Sequence, residues 1–210
     1  TLLPVPGRPL LLVDAGANTD CQPKWIVQFA MMGSAYMRRV MNVEKPEVGL
    51  LNIGVEAAKG NEQAQNTYAL MEKPQPFAFI GNVEARDVPF GACDVLVADG
   101  FTGNMLLKMY EGVAGAMMAN IKGIFKQNAI TKLSALMIKN GLMDFKKRMD
   151  YTEFGGAPLL GISKPVIKAH GSSNAKAFCS AIRQAKQFSE TGVIENIANA
   201  VTKSAQASEA

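Results

Sequence analysis

Short apolar runs alternate with amphipathic helical patterns along most of this chain, and that alternation restricts the possible folds more than any other sequence feature. The apolar runs have the length of buried strands and occupy residues 10–13, 48–53, 77–80, 94–98 and 165–169. Between most of them the apolar residues follow helical spacing, for instance at residues 24–41 and 61–72. Such alternation predicts crossover units that build a mainly parallel sheet covered by helices on both faces. We therefore expect a three-layer α/β fold.

Composition is compatible with one globular domain, because 48% of the 210 residues are hydrophobic and 19% are charged. No apolar segment approaches the roughly 20 residues that span a bilayer, and no charged-then-apolar leader opens the chain. We therefore expect a cytoplasmic protein. The cysteines Cys21, Cys93 and Cys179 are odd in number and widely spaced, which predicts buried, reduced thiols. The Pro-rich residues 1–9 are typical of a linker.

Small and polar residues follow each of the five apolar runs. The stretches are DAGANTD from Asp14, NIGVEAAKGNE from Asn52, GNVEARD from Gly81, DGFTGN from Asp99 and HGSSN from His170. In open parallel sheets, ligands bind outside the carboxyl ends of the strands. Five such ends at one edge therefore predict a binding site. The alternative is that these residues only cap helices and form turns.

The chemistry of these stretches favours an anionic ligand. Glycine lets backbone amides approach a ligand, and helices that begin after Gly60, Gly103 and Ser172 would aim unpaired N–H groups at it. Lys59 can add a full positive charge, although a solvated surface lysine is the usual alternative. The carboxylates in the same stretches are Asp14, Glu56, Glu84 and Asp99.

Several ligand classes have no support in the sequence. No G-x-G-x-x-G fingerprint and no G-x-x-x-x-G-K-[ST] loop occurs, so a dinucleotide or nucleoside triphosphate is not expected. No cluster has metal-ligand spacing, and His170 is the only histidine. We expect no metal, no cofactor and no nucleic-acid partner. A single histidine at a strand end can be structural or functional, and both interpretations of His170 stay open.

Six stretches, taken in order, resemble the motif series of the bacterial phosphate acyltransferase family PlsX. They are DAGANTD, KGNE, GNVEARD, DGFTGN, YTEFGGAPLLG and KAHGSSN, which begin at residues 14, 59, 81, 99, 151 and 168. The resemblance implies transfer of a long fatty acyl group from acyl carrier protein to inorganic phosphate, giving acyl phosphate for phospholipid synthesis. It also implies a fold similar to phosphotransacetylases and isopropylmalate dehydrogenases.

Members of that family are longer than this chain. They begin with a segment that carries Asp-Ala-Met-Gly-Gly-Asp and Ser-Ala-Gly-Asn-Thr-Gly motifs, and neither motif occurs here. The chain resembles roughly the last two-thirds of such a protein. We therefore expect residues 1–210 to form one α/β domain without the N-terminal segment of the family.

A mechanism follows as a hypothesis, because phosphate attacks a thioester only when it is oriented and the developing oxyanion is stabilised. The candidate catalytic residues are Lys59 to bind phosphate, Asp99 to orient a phosphate proton or hold Lys59, and His170 as a polar partner. The turn after Asp99 would face its amides to the anion, and Phe101 would shield the thioester from water. Candidate substrate-binding residues are Asp14, Asn18, Asn52, Glu56, Gly60, Asn61, Asn82, Glu84, Gly100, Phe101, Thr102, Gly103, Asn104, Ser172 and Ser173.

Residues 117–150 predict an inserted amphipathic helical hairpin with a break near Asn140–Gly141. Residues 122–148 carry seven basic residues and one acid, a local net charge of +6, interleaved with apolar residues. One interpretation is a dimer-packing arm with a solvated face, and we expect a homodimer. Another is an interfacial helix on anionic lipid, since the resemblance implies peripheral association with the inner face of the membrane. The candidate lipid contacts are Lys132, Leu133, Leu136, Met137 and Lys139. Acidic acyl carrier protein is a third possible partner of this surface.

Three rival functions remain open. A short-chain phosphotransacetylase-like enzyme would use acyl-coenzyme A in place of the carrier protein. A decarboxylating dehydrogenase would need a divalent metal and a nicotinamide cofactor. A non-catalytic scaffold for membrane or carrier protein would bind without turnover.

Overall fold

The computed structural model describes residues 1–148, 156–169, 171 and 173–209. The strands are β1 (Leu2–Leu3), β2 (Leu10–Val13), β3 (Glu47–Asn52), β4 (Ala78–Glu84), β5 (Val95–Val97), β6 (Ala157–Pro158) and β7 (Ile167–Lys168). The α-helices are α1 (Pro23–Arg39), α2 (Glu62–Met71), α3 (Gly100–Phe125), α4 (Ala129–Met137), α5 (Lys139–Arg148), α6 (Ala175–Glu190) and α7 (Val193–Glu209). A short 3₁₀ turn, Val88–Phe90, lies between β4 and β5.

Five strands form the main sheet in the order β1-β2-β5-β3-β4. Strand β1 is antiparallel to β2, and all the other neighbours are parallel. Because α1 carries the chain from β2 past the position of β5 to β3, strand β5 later inserts between β2 and β3. The loops that follow β2, β5, β3 and β4 therefore lie at one edge. The predicted α/β class with a mainly parallel sheet is confirmed.

Side chains of the strands alternate between two apolar clusters, one on each face of the sheet. Leu11, Val48 and Val95 face the cluster that packs against α1, α2, α6 and α7. Leu12 and Leu96 face the opposite cluster, to which α3 adds partly buried side chains near its start. Helices thus cover both faces, and β2 and β5 are almost entirely buried, whereas the edge strand β4 keeps exposed residues such as Ile80. The sheet is the rigid support of the loops at its carboxyl edge.

The predicted strand at residues 77–80 is too short, because β4 continues to Glu84. The pairing of β3 with β4 shifts register between Val48 and Leu50, where β4 contains one extra residue. Gly81 has a φ of +94° at this bulge, a conformation that glycine adopts easily. Asn82 and Glu84 therefore lie on the strand itself, whereas the sequence predicted a loop.

The prediction for residues 165–169 is also corrected. Only Ile167–Lys168 is a strand, and it pairs antiparallel with β6 in a separate two-stranded sheet. The main sheet thus presents four parallel carboxyl ends at the shared edge, and the fifth predicted end belongs elsewhere.

Helix α3 begins at Gly100, four residues before the predicted start at Asn104, because Asp99 caps it. It runs for 26 residues. A Cβ added at Gly112, Gly115 or Gly123 would meet no other atom within 4 Å, so the second half of α3 projects from the sheet. Helices α4 and α5 follow it. The break predicted near Asn140–Gly141 lies two residues earlier, at Ile138, and a further break at residues 126–128 was not predicted.

Two smaller expectations also change. Cys21 and Cys93 are buried and free as predicted, but Cys179 is exposed on α6. Residues 1–9 are more than a linker, since Leu2–Leu3 pairs with β2 as an edge strand. Among the described helices, none is long and apolar enough to cross a membrane.

Candidate functional site

The loop after β2 is organised by one buried carboxylate. Asp14 is 8% exposed and accepts hydrogen bonds from the backbone amides of Gly16, Ala17 and Asn18 at 2.7–2.9 Å. The Asn18 side-chain amide donates a fourth bond at 2.8 Å. Burial raises the pKa of Asp14, but these hydrogen bonds outweigh it and the net pKa lies below its ordinary value. Asp14 therefore holds the loop in shape as a carboxylate.

The first turn of α3 packs directly on that loop. The Gly100 amide donates to the Asn18 carbonyl oxygen at 2.7 Å. A Cβ on Gly100 would lie 2.5 Å from the same oxygen, and one on Gly103 would collide with the Asp14 carbonyl oxygen. Both glycines are thus required by close helix-to-loop packing. The sequence had assigned them to the approach of a ligand.

Most amides of this turn already have protein acceptors. Asp99 Oδ1 accepts from the Thr102 amide at 2.8 Å, and Asp99 Oδ2 accepts from the Thr102 hydroxyl at 2.7 Å. The Gly103 amide donates to the Asp99 carbonyl oxygen. The expectation that the whole turn faces its amides to an anion is therefore corrected. Within the described chain, only the Phe101 amide of the first four has no protein acceptor, and the Phe101 side chain is 63% exposed.

A second loop, residues 53–61, presents Lys59. The Lys59 amide donates to the Glu56 carbonyl oxygen at 3.0 Å, and the Asn52 side chain donates to the Lys59 carbonyl oxygen at 3.1 Å. Gln65 reaches back from α2 to the carbonyl oxygens of the two residues that flank Lys59. The backbone of Lys59 is therefore fixed. Its side chain is exposed and has no carboxylate within ion-pair distance among the described residues.

Two other predicted residues support this loop, and a third, Glu84, is paired elsewhere. Asn82 is 7% exposed and donates to the Glu56 carbonyl oxygen at 2.8 Å, which ties the loop to β4. Asn61 caps α2 by accepting from the Ala64 amide. Glu84 forms an ion pair with Arg86 at 2.6 Å, a partner that the sequence analysis did not identify.

Cys21 and Gln63 join the two loops. The Gln63 side chain, on α2, donates to the Cys21 carbonyl oxygen, and the Cys21 thiol donates to the Asn18 carbonyl oxygen at 3.2 Å. Burial raises the pKa of that thiol, and neighbouring carboxylates including Asp99 raise it further. Gln63 and Gln65 were missed, because glutamine on a helix is usually a solvated surface residue and nothing local marks these two as loop contacts.

A cavity of about 650 Å³ lies beside the Asp14 loop. Its walls include Asn18 and Asn104, and a Cβ added at Gly16 would lie 3.3 Å from the Asn104 side chain. Lys168 and Ser173 line the other side. Residues 156–160 also line the cavity, so it brings four of the six motif stretches together, while Lys59 belongs to the neighbouring loop. His170 and Ser172 lie outside the described residues.

The predicted lipid contacts lie apart from this edge. Leu133, Leu136 and Met137 on α4 are 63%, 67% and 83% exposed. Lys132 and Lys139 are exposed as well. In the described part of the chain, no group of three or more His, Cys, Asp or Glu side chains is placed to hold a metal ion.

Fold and site together define an α/β protein whose parallel-sheet edge carries a lysine with a fixed backbone and, among the described residues, no ion-pair partner. A family model described as fatty acid synthesis protein matches residues 1–196, and the chain belongs to that family. It is 50% identical over 196 residues to a phosphate acyltransferase of Thermoanaerobacterium thermosaccharolyticum, covering 93% of this chain and 59% of the relative.

Two further relatives give the same result. A phosphate acyltransferase of Clostridium perfringens is 50% identical over 205 residues, which cover 96% of this chain and 60% of the relative. A phosphate acyltransferase of Lysinibacillus sphaericus is 51% identical over 201 residues, which cover 96% of this chain and 61% of the relative. The chain thus spans about three-fifths of the length of the curated relatives that it matches.

Asp14→Asn should lower the free energy of unfolding by about 2 kcal/mol at pH 7, because charge-assisted hydrogen bonds are lost inside the protein. The folded pKa is depressed, so the carboxylate stabilises the fold above its ordinary pKa of 3.8, and this contribution disappears as pH falls through the folded value. The difference between the two proteins should therefore shrink below pH 4. Urea unfolding followed by Trp25 fluorescence measures it.

Asp20→Ala is the matched control, since Asp20 is an exposed carboxylate in the same loop. Asp20→Ala should change the free energy of unfolding little at pH 7 or at pH 3. A penalty for Asp14→Asn that is the same at pH 3 and pH 7 would contradict the role assigned to the Asp14 charge.

Proposed function

We propose that the protein containing this chain is a phosphate acyltransferase that moves a long-chain fatty acyl group from acyl carrier protein to inorganic phosphate. The thioester bond is replaced by an acyl–phosphate bond, so the products are acyl phosphate for phospholipid synthesis and the carrier protein with a free thiol. One observation carries the proposal: relatives that are about 50% identical over more than nine-tenths of this chain bear the name phosphate acyltransferase. The lysine at the sheet edge supports it, because phosphate needs a positive partner.

Lys59 is the proposed phosphate-binding charge. Its backbone is held on three sides, by Asn52, by Gln65 and by its own turn to Glu56. The fixed backbone keeps the Lys59 side chain at this edge, and no charged partner among the described residues has to be displaced before the ammonium meets an anion. Asn61, at the start of α2, adds the positive end of a helix dipole beside it.

The start of α3 is the proposed second wall of the site. The Phe101 amide and the dipole of this long helix favour negative charge there, while the exposed Phe101 ring can exclude water from the thioester. Asp99 has both carboxylate oxygens engaged by Thr102, so we assign it to positioning the helix. Asn104, Ser173 and His170 are proposed polar partners of phosphate or of the oxyanion, together with Ser172.

Lys59→Ala should reduce kcat/KM for phosphate by at least about 100-fold, since a charge that stabilises the transition state is removed. Lys59 is exposed, so the free energy of unfolding should stay within about 0.5 kcal/mol of wild type. Acyl-phosphate formation from acyl carrier protein and inorganic phosphate is the assay. Lys45→Ala is the control, because Lys45 is an exposed lysine just before β3, at the opposite edge.

The assay is run with this chain alone and with the N-terminal segment of the relatives supplied. Wild-type kinetics for Lys59→Ala in an active preparation would remove Lys59 from the mechanism. Turnover with acyl-coenzyme A but not with acyl carrier protein would favour the short-chain alternative. Binding without any turnover in an assembled, folded mixture would favour the scaffold.

We also propose that the helices after the sheet associate with the cytoplasmic face of the membrane and with a second copy of the chain. The outer side of α4 exposes an apolar ridge, Leu133, Leu136 and Met137, between Lys132 and Lys139. Such a ridge fits the interface of an anionic bilayer.

A second exposed apolar stripe runs along α3 at four-residue spacing. Met105, Met109, Val113 and Met117 are 60%, 67%, 48% and 49% exposed. A homodimer would cover these side chains, a property that light scattering measures directly. The two surfaces are separate, so dimer formation and lipid contact are compatible.

Charge reversal at Lys132 and Lys139 should release the protein from vesicles that contain anionic lipid. Each juxtamembrane lysine contributes about 1 kcal/mol near such a surface, so two reversals should weaken binding by at least about 30-fold. Vesicle sedimentation at 0.1 M salt is the measurement. Lys45→Glu with Lys73→Glu makes the same change in net charge away from the ridge, and it should bind nearly as wild type. Equal vesicle binding by wild type, the Lys132 and Lys139 variant and the control would contradict the proposed contact of α4 with lipid.

A further inference from the structure

An open groove of about 670 Å³ lies between the end of α3 and helices α4 and α5. Its floor is apolar and includes Met118, Ile121, Phe125 and Leu142, all of them half-buried. This volume falls within the range of small-molecule sites in proteins, about 300–1,000 Å³. The groove is therefore large enough for one extended ligand.

Three lysines line the same groove: Lys122, Lys126 and Lys132. In the described part of the chain, none of them has a carboxylate within ion-pair distance. Asp144 is the only acid between residues 122 and 148. An apolar recess with an uncompensated cationic rim is complementary to a ligand that has one apolar chain and one anionic head.

The groove and the lipid-facing ridge lie on different sides of α4, and Lys132 borders both. Lys132 and Ala135 line the groove, whereas Leu133, Leu136 and Met137 point outward and are 63–83% exposed. A bilayer presents a continuous surface that meets the convex ridge and cannot fill a concave recess. A second copy of the chain in a two-fold symmetric contact at this groove would bring its own three lysines toward the same rim, where like charges repel.

We propose that the groove between α3, α4 and α5 binds one molecule of a free single-chain anionic amphiphile with a phosphate or carboxylate head. The apolar tail lies along the floor, and the head pairs with Lys122, Lys126 or Lys132. This ligand class includes the product of the proposed reaction. Binding is measured without turnover, so failure of this inference leaves the proposed reaction untouched, and the reverse also holds.

The test is isothermal titration calorimetry of the full polypeptide with monododecyl phosphate. The amphiphile is kept below its own aggregation concentration, and no membranes are present. We expect one molecule bound per chain. Inorganic phosphate supplies the head alone and dodecyl maltoside supplies the tail alone, and both should bind the groove much more weakly.

Lys122→Glu with Lys126→Glu should weaken monododecyl phosphate binding by at least about tenfold, as expected when charge-assisted contacts are lost. Ala135→Trp should weaken it independently by filling the recess. Leu133→Ser with Leu136→Ser, on the outer ridge, is the matched control and should leave it unchanged. Circular dichroism verifies that each variant keeps its helices.

Three results would overturn the proposal. One is equal affinity in wild type and in both groove variants. A second is binding that appears only with vesicles or is abolished by the ridge variant, which would assign the amphiphile to the lipid-facing ridge. The third is a groove already covered by another copy of the chain, seen as a dimer that Ala135→Trp dissociates and that excludes the probe.

Discussion

The geometry of the sheet edge depends on the hydrogen bonds that the Asp14 carboxylate accepts. The carboxylate gathers three backbone amides and one side-chain amide in the loop after β2, and this leaves the Asn18 carbonyl oxygen positioned to receive the Gly100 amide. The α3 helix can start only where that loop permits, because its first turn touches the loop backbone at two glycines. Any larger side chain at Gly103 would push the helix away. The hydrogen bonds of the Asp14 carboxylate therefore determine where the 26-residue helix α3 can begin.

The neighbouring loop, residues 53–61, positions a positive charge. Lys59 is kept in place by hydrogen bonds to backbone groups around it, while its ammonium stays exposed and unpaired among the described residues. Three of the four carboxylates at this edge have other partners: Asp14 its own loop, Asp99 Thr102 and Glu84 Arg86. The fourth, Glu56, is exposed and is not within ion-pair distance of Lys59. The edge contains several acidic residues, but Asp14, Asp99 and Glu84 bind other partners and do not neutralise Lys59. That separation is what makes an anion a reasonable ligand.

Periodicity predicted the parts of the fold that are long and regular. Helices α1 and α2 and strands β2, β3 and β5 lie within two residues of the predicted bounds, since burial of alternating side chains leaves a clear pattern. The continuation of β4 was missed because Gly81-Asn82 has the composition of a turn, whereas a bulge keeps it in the sheet. The start of α3 had a signal, an Asp followed three residues later by Thr, which is a common capping pattern.

The site was predictable only in outline. Residues of the strand-end stretches do meet at one edge, but which glycine serves packing and which carboxylate serves a helix cap depends on contacts between elements distant in sequence. Gln63 and Gln65 show the same limit, because their partners are backbone carbonyl oxygens of other loops. No local pattern specifies such partners. The six motif stretches, in contrast, indicated the family that the relatives confirm.

The central claim is that inorganic phosphate binds at this edge of the sheet, and amide chemical-shift mapping tests it most directly. The full polypeptide, labelled with ¹⁵N, is titrated with phosphate and with chloride at matched ionic strength. The account predicts saturable, phosphate-specific shifts at Lys59, Gly60, Asn61 and Phe101, with α4 and α5 unchanged. Shifts confined to the lysines of the helical hairpin, or no saturable shifts at the edge, would contradict it.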